Sequence, residues 1–510
     1  MHHRLRIGAA TLLGLAGVWL ASANGAAQHP VPARPHVIVV LVDDLGWADT
    51  SPYGSSFHET PAIGRLARDG VRFTTFYAAG SVCSPTRASL MTGKYPARLG
   101  ITDWIGGGDT GLVRPPPNRE QLPLEEITVG EAFRDAGYAT GYVGKWHLGT
   151  GAFMPGAQGF QWTRAVNNAG QPSQYFFPYH GPKPLPADVP DLDEGHDGDY
   201  LTDTLTDQAL GFIDRHQAEP FFLMLAHYAV HTPLQAPPAL KAKYEQKAAR
   251  LFTDTASPRK AEADAFTKLR QDHPTYAAMI ERTDESVGRI RDRLDALHLT
   301  GRTIVVFVSD NGGLSTIADA RANMPTSNEP LRAGKGWLYE GGIRVPLVVA
   351  WPGTIRGGRT EQTPGISTDL YPTLLELAGL APRPRQHVDG VSLAPLLRER
   401  GRVAREALFW HFPHYHGSGN RPSSAVRAGD WKLVEWLEDG RTELYDLAAD
   451  PSELHDLAAA NPERAAGLRR RLDVWRTAVG ARMPVKATAE GGSGMIKKAP
   501  IPDNPGSTET

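Results

Sequence analysis

Short runs of β-branched, aromatic and small residues bounded by turn formers recur along the chain, at residues 36–42, 139–143, 220–225 and 303–308. Each predicts a strand buried on both faces, the pattern of a parallel sheet. Residues 345–350 form a fifth such run. Between them, residues 60–69, 128–136, 200–216 and 276–297 carry the longer mixed patterns of helices. Strand alternating with helix implies an α/β sandwich around a mostly parallel central sheet.

Residues 369–378 read as a late helix of this layer, and the Pro- and Arg-rich stretch 382–405 as the passage to a second unit. From about Ala407 the pattern changes. Residues 425–434 and 443–447 read as strands and 462–479 as a helix, which predicts a small antiparallel sheet with one covering helix. The expected division is a main α/β domain over 35–400, a C-terminal α+β subdomain over 405–485, and a tail over 486–510. That tail is rich in Gly, Pro, Ser and Thr and is expected to be mobile. No internal repeat is present.

The N-terminus carries Arg4 and Arg6, an apolar stretch over residues 9–21, and small residues around Ala23 and Ala27. This is the build of a secretory signal peptide over residues 1–27, too short in its apolar part to span a bilayer. The expectation is an exported protein, periplasmic or secreted, without a transmembrane anchor. A chain of 510 residues, 41% hydrophobic and 22% charged, can bury a large core. Its formal net charge of -2 argues against a nucleic-acid partner. With a single cysteine no internal disulfide can form, so stability is expected to rest on packing, with a metal as a further source.

Two acidic motifs follow predicted strands, where open α/β sheets bind their ligands: Asp43-Asp44 and Asp310-Asn311. Three carboxylates and an amide oxygen suit Ca²⁺ or Mg²⁺ and suit zinc poorly. Either motif alone reads equally well as a helix cap or a turn. Gly144-Lys145-Trp146-His147 follows the second strand, His231-Thr232-Pro233 follows the third, and Lys335 lies between Gly334 and Gly336. All would converge on one crevice and bring cations toward a bound anion.

Cys83 opens Cys83-Ser84-Pro85-Thr86-Arg87, and the following apolar stretch stops at Gly93. The ordinary fate of a lone cysteine is a buried free thiol. Here Pro85 fits a first helical turn, which puts residue 83 at the amino end, where free amides and the helix dipole favour anions. In a chain with 41 prolines and 54 Lys and Arg, chance gives this Cys-x-Pro-x-base spacing in about 0.9% of cases.

This segment and its helix resemble the signature of type I sulfatases, in which the cysteine is oxidised after synthesis to Cα-formylglycine. Asp43-Asp44, residues 144–149, His231-Thr232-Pro233, residues 309–313 and residues 334–344 match the family's motifs in order. Residues 389–393 and 427–433 resemble its later landmarks, so the likeness runs from about 35 to 480.

The resemblance implies an alkaline-phosphatase-like fold and a formylglycine-generating maturation enzyme as partner. It also implies one Ca²⁺, in preference to Mg²⁺, held by Asp43, Asp44, Asp310, Asn311 and residue 83. The formylglycine hydrate would attack sulfur with one hydroxyl and expel sulfate with the other, a step an ordinary serine cannot perform. Arg87 and Lys145 would fix the hydrate and sulfate oxygens, and His147 would take the second hydroxyl's proton. His231 and Lys335 would bind sulfate and protonate the leaving oxygen. Glu340 and Arg344 are expected to form a buried structural pair.

Trp104, His411, His414 and His416 are candidates for the substrate subsite, although each histidine reads equally as a packed loop residue. Sulfated sugars at glycan ends are the expected substrates, with aryl sulfates open. A phosphoester or phosphonate-ester hydrolase of the same superfamily is the nearest rival, and a non-catalytic sulfated-glycan binder is the second.

Overall fold

A computed structural model describes residues 34–487 except 109, 182–184, 255–257 and 320. The expected signal peptide, and the expected tail beyond residue 487, lie outside the described residues. Lys486 itself sits in a short strand, Val485–Lys486, paired with Val113–Arg114.

Every residue of the strand His36–Val42 is buried. Val37, Val39 and Leu41 enter one hydrophobic cluster, while Ile38, Val40 and Val42 enter another on the opposite face. Side chains alternate across a strand, so only a sheet covered on both faces makes such an unbroken apolar run favourable. One face is covered by the helices Cys83–Thr92, Val129–Asp135 and Leu370–Leu377. The other is covered by Pro61–Asp69, Leu201–His216 and Pro274–Ala296.

The central sheet has nine strands. Its order is Arg359–Glu361, Val71–Tyr77, Arg344–Ala350, Thr303–Ser309, His36–Val42, Phe221–Ala226, Ala139–Gly144 and Trp162–Arg164, with Gly365–Ile366 also paired to Val71–Tyr77. The pairs His36–Val42 with Thr303–Ser309 and Phe221–Ala226 are parallel, as expected.

Two expectations need correction, and one strand was not foreseen. The fifth run is a strand, but Arg344–Ala350 is antiparallel to both neighbours, with its register broken around Pro346, which has no N–H to give the ladder. Val71–Tyr77 was not foreseen, because Arg72, Thr74 and Thr75 interrupt its apolar positions. Residues 425–434 are not one strand but a hairpin, Ser423–Ala428 and Trp431–Trp436, turning at Gly429 with φ 61.

That hairpin belongs to a four-stranded antiparallel sheet with Leu408–Phe412 and Thr442–Asp446, covered by the helix Pro462–Val479. A third core, including Trp410, Leu433, Leu472 and Trp475, continues into Tyr77, Val82 and Trp337 of the larger layer. The described residues from Arg34 to Ala487 form one compact unit.

The two sheets also share a buried ionic network. Glu340 faces Arg344 at 3.6 Å, so the expected pair exists, yet it is not Glu340's main partner. Glu340 accepts from Tyr77 Oη at 2.7 Å and from Lys432 Nζ at 3.0 Å, and Lys432 reaches Glu453 at 2.9 Å. Arg344 instead donates to the Thr74 carbonyl at 2.7 Å. Burial lifts the Glu453 carboxyl to about 7 despite the lysine. Removing Lys432 would strand two buried carboxylates. Lys432→Met is expected to lower stability by about 3–5 kcal/mol in urea unfolding near pH 8. Arg441→Met, at a side chain 55% exposed, should cost less than about 1 kcal/mol.

Candidate active site

The parallel strands end at one edge, and their following loops meet there. His36–Val42 delivers Asp43 and Asp44, Thr303–Ser309 delivers Asp310 and Asn311, Ala139–Gly144 delivers Lys145 and His147, and Phe221–Ala226 delivers His231. Val71–Tyr77 runs the same way and delivers Cys83 at the start of its helix. Because Arg344–Ala350 runs oppositely, the loop before it lies at this edge, which is how Lys335 arrives. The unforeseen strand and the misjudged direction are thus what complete the cluster.

The charges are paired with almost no water. Lys145 Nζ lies 2.6 Å from Asp43 Oδ2, and Arg87 Nε donates to Asp310 Oδ2 at 2.9 Å. Lys335 Nζ donates to Asp44 Oδ2 at 2.8 Å and lies 3.0 Å from His231 Nε2. Arg87 also donates to the Lys145 carbonyl at 2.7 Å, fixing its fork. Asp43, Asp310 and Lys145 are fully buried.

Sγ of Cys83 and one carboxylate oxygen each of Asp43 and Asp310 lie within 4.8 Å of one another, and so do donor atoms of Cys83, Asp44 and His231. Among the described residues, Asp43 Oδ1 and Asn311 Oδ1 are buried without a hydrogen bond. The Asn311 amide gives its protons to Asp44 Oδ1 at 2.8 Å and the Gly312 carbonyl at 3.0 Å, which leaves its oxygen as an uncommitted acceptor. Orphaned oxygens amid buried carboxylates fit a hard divalent cation.

Burial pushes the Cys83 thiol up to about 12, although Lys145 and Lys335 pull it back, so at neutral pH it is a protonated thiol. Burial opposes the Asp44 carboxylate too, but Lys335, His231 and Lys145 hold its pKa well below the usual range. Asp43 goes the other way, raised by burial to about 8 against Lys145, with Asp310 and Asp44 adding to the rise.

Both histidines are neutral. Burial and Lys145 hold His147 far below its ordinary value, and burial with Lys335 lowers His231 to about 3. His147 Nε2 lies 3.1 Å from the Ile105 carbonyl, which can only accept, so Nε2 carries the proton. Nδ1 is left as a buried lone pair without a partner among the described residues. Gly170 presses on this ring, where a Cβ would fall 2.6 Å from Cε1. Asp44 and His147 both hold left-handed backbone, φ 57 and 58, a cost that the surrounding bonds must offset.

The outer candidates divide. Trp104 is half-buried, its ring 6.4 Å from that of His147. His416 lies beside Lys335, which with burial keeps it neutral, its pKa near 3. His414 instead bonds Thr102 Oγ1 at 2.8 Å. His411 has both ring nitrogens engaged, with Ser424 Oγ at 2.7 Å and the Arg482 carbonyl at 2.9 Å, and is a packed residue of the C-terminal sheet.

The residues sequence reasoning missed act through backbone. Tyr276 Oη bonds the Asp44 carbonyl at 3.1 Å and Asp49 Oδ2 at 2.8 Å. The Asn328 amide donates to Gly313 and Ala333 carbonyls at 2.9 and 3.0 Å, joining the Asn311 and Lys335 loops.

Residues 35–380 match the sulfatase family model. The chain belongs to the sulfatase family. Residues 333–475 of this sulfatase also match the C-terminal model of N-sulphoglucosamine sulphohydrolase. A sulfatase of Formosa agariphila is 34% identical, covering 84% of this chain and 86% of its own. N-acetylgalactosamine-6-sulfatase of Sus scrofa is also 34% identical, covering 84% and 77%. The crystal structure of Ps i-CgsB in complex with k-i-k-neocarrahexaose superposes with a TM-score of 0.71 at 29% identity, covering 90% and 96%. The sulfatase therefore has the alkaline-phosphatase-like α/β fold of its neighbours and is a sulfuric ester hydrolase.

A cation entering this site must displace the proton that burial keeps on Asp43. Its affinity should rise as pH rises toward about 8, by close to tenfold per pH unit for one proton, and level off above. Calcium titration by calorimetry at several pH values checks this, and a pH-independent affinity would remove Asp43 from the ligand set.

Proposed function

We propose that this sulfatase is exported, and that a maturation enzyme converts Cys83 to Cα-formylglycine. In this reading Ca²⁺ is held by Asp43, Asp44, Asp310, Asn311 and residue 83, and the substrates are sulfate esters of sugars at glycan ends. The carrying observation is the place of residue 83, whose Sγ lies within 4.8 Å of carboxylate oxygens of Asp43 and Asp310 and, in a second group, of donor atoms of Asp44 and His231. A protonated thiol is a poor partner for these hard oxygens, whereas a hydrated aldehyde supplies the oxygen they call for. Export rests on residues 1–27, and the division into 35–400 and 405–485 on the change of pattern near residue 407.

A divalent cation, when bound, withdraws charge from a hydroxyl of residue 83 and from a sulfate oxygen. The chain's own residues do the rest. One hydroxyl of the residue 83 hydrate gives up its proton to water and attacks sulfur as the oxyanion, and the bond from sulfur to the ester oxygen breaks. That oxygen takes a proton from the pair formed by Lys335 and His231, whose nitrogens lie 3.0 Å apart. His147 Nδ1, the uncommitted lone pair, then accepts the proton of the second hydroxyl. The carbonyl re-forms, its bond to the sulfate oxygen breaks, and water hydrates the aldehyde again. Arg87 and Lys145 lie beside residue 83 to fix its oxygens and those of sulfate.

The paired lysines also argue against the phosphoester rival. A second metal needs further carboxylate or histidine donors, and here Lys145 and Lys335 occupy the free sides of Asp43 and Asp44. The sugar preference is supported by the names of two relatives, one an N-acetylgalactosamine-6-sulfatase and one solved with an oligosaccharide.

Intact mass of the exported protein should show residue 83 lighter than a cysteine, and Cys83→Ala should leave turnover at background. A screen of the converted enzyme against sulfated monosaccharides, oligosaccharides and aryl sulfates should find a sulfated sugar as the best substrate. Turnover of aryl sulfates alone would overturn the sugar assignment, and an unconverted yet fully active protein would overturn the formylglycine.

A further inference from the structure

We infer that the C-terminal unit sets the proton position on His147, through a clamp that runs from His414 along the segment Thr102 to Ile105. This rests on the proposed role of His147 as proton acceptor. His414 and Thr102 are the positioning residues.

The clamp starts in the loop after the strand Leu408–Phe412. His414 is 4% exposed, and burial lowers its pKa to about 3, so it is a neutral hydrogen-bonding group. Its Nε2 lies 2.8 Å from Thr102 Oγ1, and its Nδ1 faces Asp103 Oδ2 at 3.7 Å. Thr102 is fixed from the other side as well, because Asn118 Oδ1 accepts from its N–H at 2.9 Å and from that of Asp103 at 3.2 Å. Tyr415 Oη accepts from Val113 N–H at 3.0 Å, fastening the far end of the same loop.

Three residues on from Thr102, Ile105 makes the contacts that matter chemically. Its carbonyl accepts from His147 Nε2, and its N–H donates at 3.1 Å to Ser84 Oγ, which in turn donates to the His147 carbonyl at 2.9 Å. The ring of His147 is therefore held by Ile105 directly, and its backbone by Ile105 through Ser84. The segment has two tethers, Ser84 beside the nucleophile and Thr102 on the C-terminal side. A histidine that must accept a proton at Nδ1 needs its other proton pinned at Nε2, and the Ile105 carbonyl does this. Beyond Ile105 the loop turns at Gly106, φ 100, where the Gly107 N–H donates to the Trp104 carbonyl at 2.9 Å and the Gly106 N–H to Glu120 Oε2 at 3.2 Å. Its position is set by what it is tied to.

The test uses the full, converted enzyme with His414→Ala and Thr102→Val, each paired with a conservative variant, His414→Gln and Thr102→Ser. With the best substrate of the screen, kcat per converted active site should fall by about tenfold or more while KM stays within about twofold. The conservative variants should restore most of kcat. Histidine-selective ¹⁵N NMR, with the His147 signal identified by its loss in His147→Gln, should show one tautomer in the wild type and a mixture in His414→Ala. An unchanged kcat in both Ala and Val variants overturns the clamp, as does an unchanged single tautomer. A loss confined to melting temperature, with kcat preserved, overturns it too. If the wild-type enzyme hydrolyses no sulfate ester, the functional reading fails, and the tautomer measurement still judges the clamp.

Discussion

Three carboxylates and three side-chain cations, almost entirely out of water, sit at the carboxyl edge of one sheet, and the rest of the molecule is arranged so that this can persist. Asp43, Asp44 and Asp310 face Lys145, Lys335 and Arg87 at hydrogen-bonding distance. Burying one such charge alone costs several kcal/mol, and mutual attraction offsets that only where geometry is tight. A flexible site would let water in and lose the arrangement. Hence the frame: a sheet covered on both faces, loops leaving from strand ends, and side chains such as Asn328 and Tyr276 that fasten loop backbones to each other.

This balance also decides what the site can bind. With all three carboxyls ionised the six groups sum to zero, so a divalent cation, if bound there, would leave the site positive toward an anion. Asp43 records the strain of the arrangement. It is the carboxyl whose pKa rises, because its burial outweighs the help of Lys145 and Arg87. Asp44, with a lysine and a histidine close by, is pushed the other way. Two adjacent aspartates at one strand end thus differ in proton affinity, burial prevailing at Asp43 and the cationic partners at Asp44.

Much of this was legible in the sequence. Strands buried on both faces announce themselves as continuous apolar runs, and the acidic and basic motifs directly after them could be placed at one edge before any geometry was known. What was not legible has a common cause. Val71–Tyr77 alternates, with Arg72 and Thr74 half-buried, so no apolar run marks it. The direction of Arg344–Ala350 leaves no trace in composition, and the break around residues 429 and 430 is a single turn between two apolar stretches. For the histidines, type and position were visible but partners were not. His411, His414 and His416 lie within six positions of one another, yet one packs in a sheet, one ties a loop, and one neighbours Lys335. Glu340 shows the same limit, since its lysine is 92 positions away.

The second sheet is therefore more than a flank. It shares a core with the segment leading to Cys83, through Val82 and Trp337, and a buried ionic network with the peptide before Arg344. Lys335 lies just upstream of that peptide; at Gly336 an added Cβ would collide with Ser418 and His416 of the C-terminal side, and Trp337 Nε1 donates to the Ser418 carbonyl at 3.2 Å. A substitution that loosens the C-terminal sheet should thus reach the chemistry by way of Lys335 and the backbone around residue 83, with no need to touch a carboxylate. Packing density makes this coupling strong, because a close-packed interior passes on displacement instead of absorbing it. The carboxylate edge belongs to one sheet by its donors and to both by its packing.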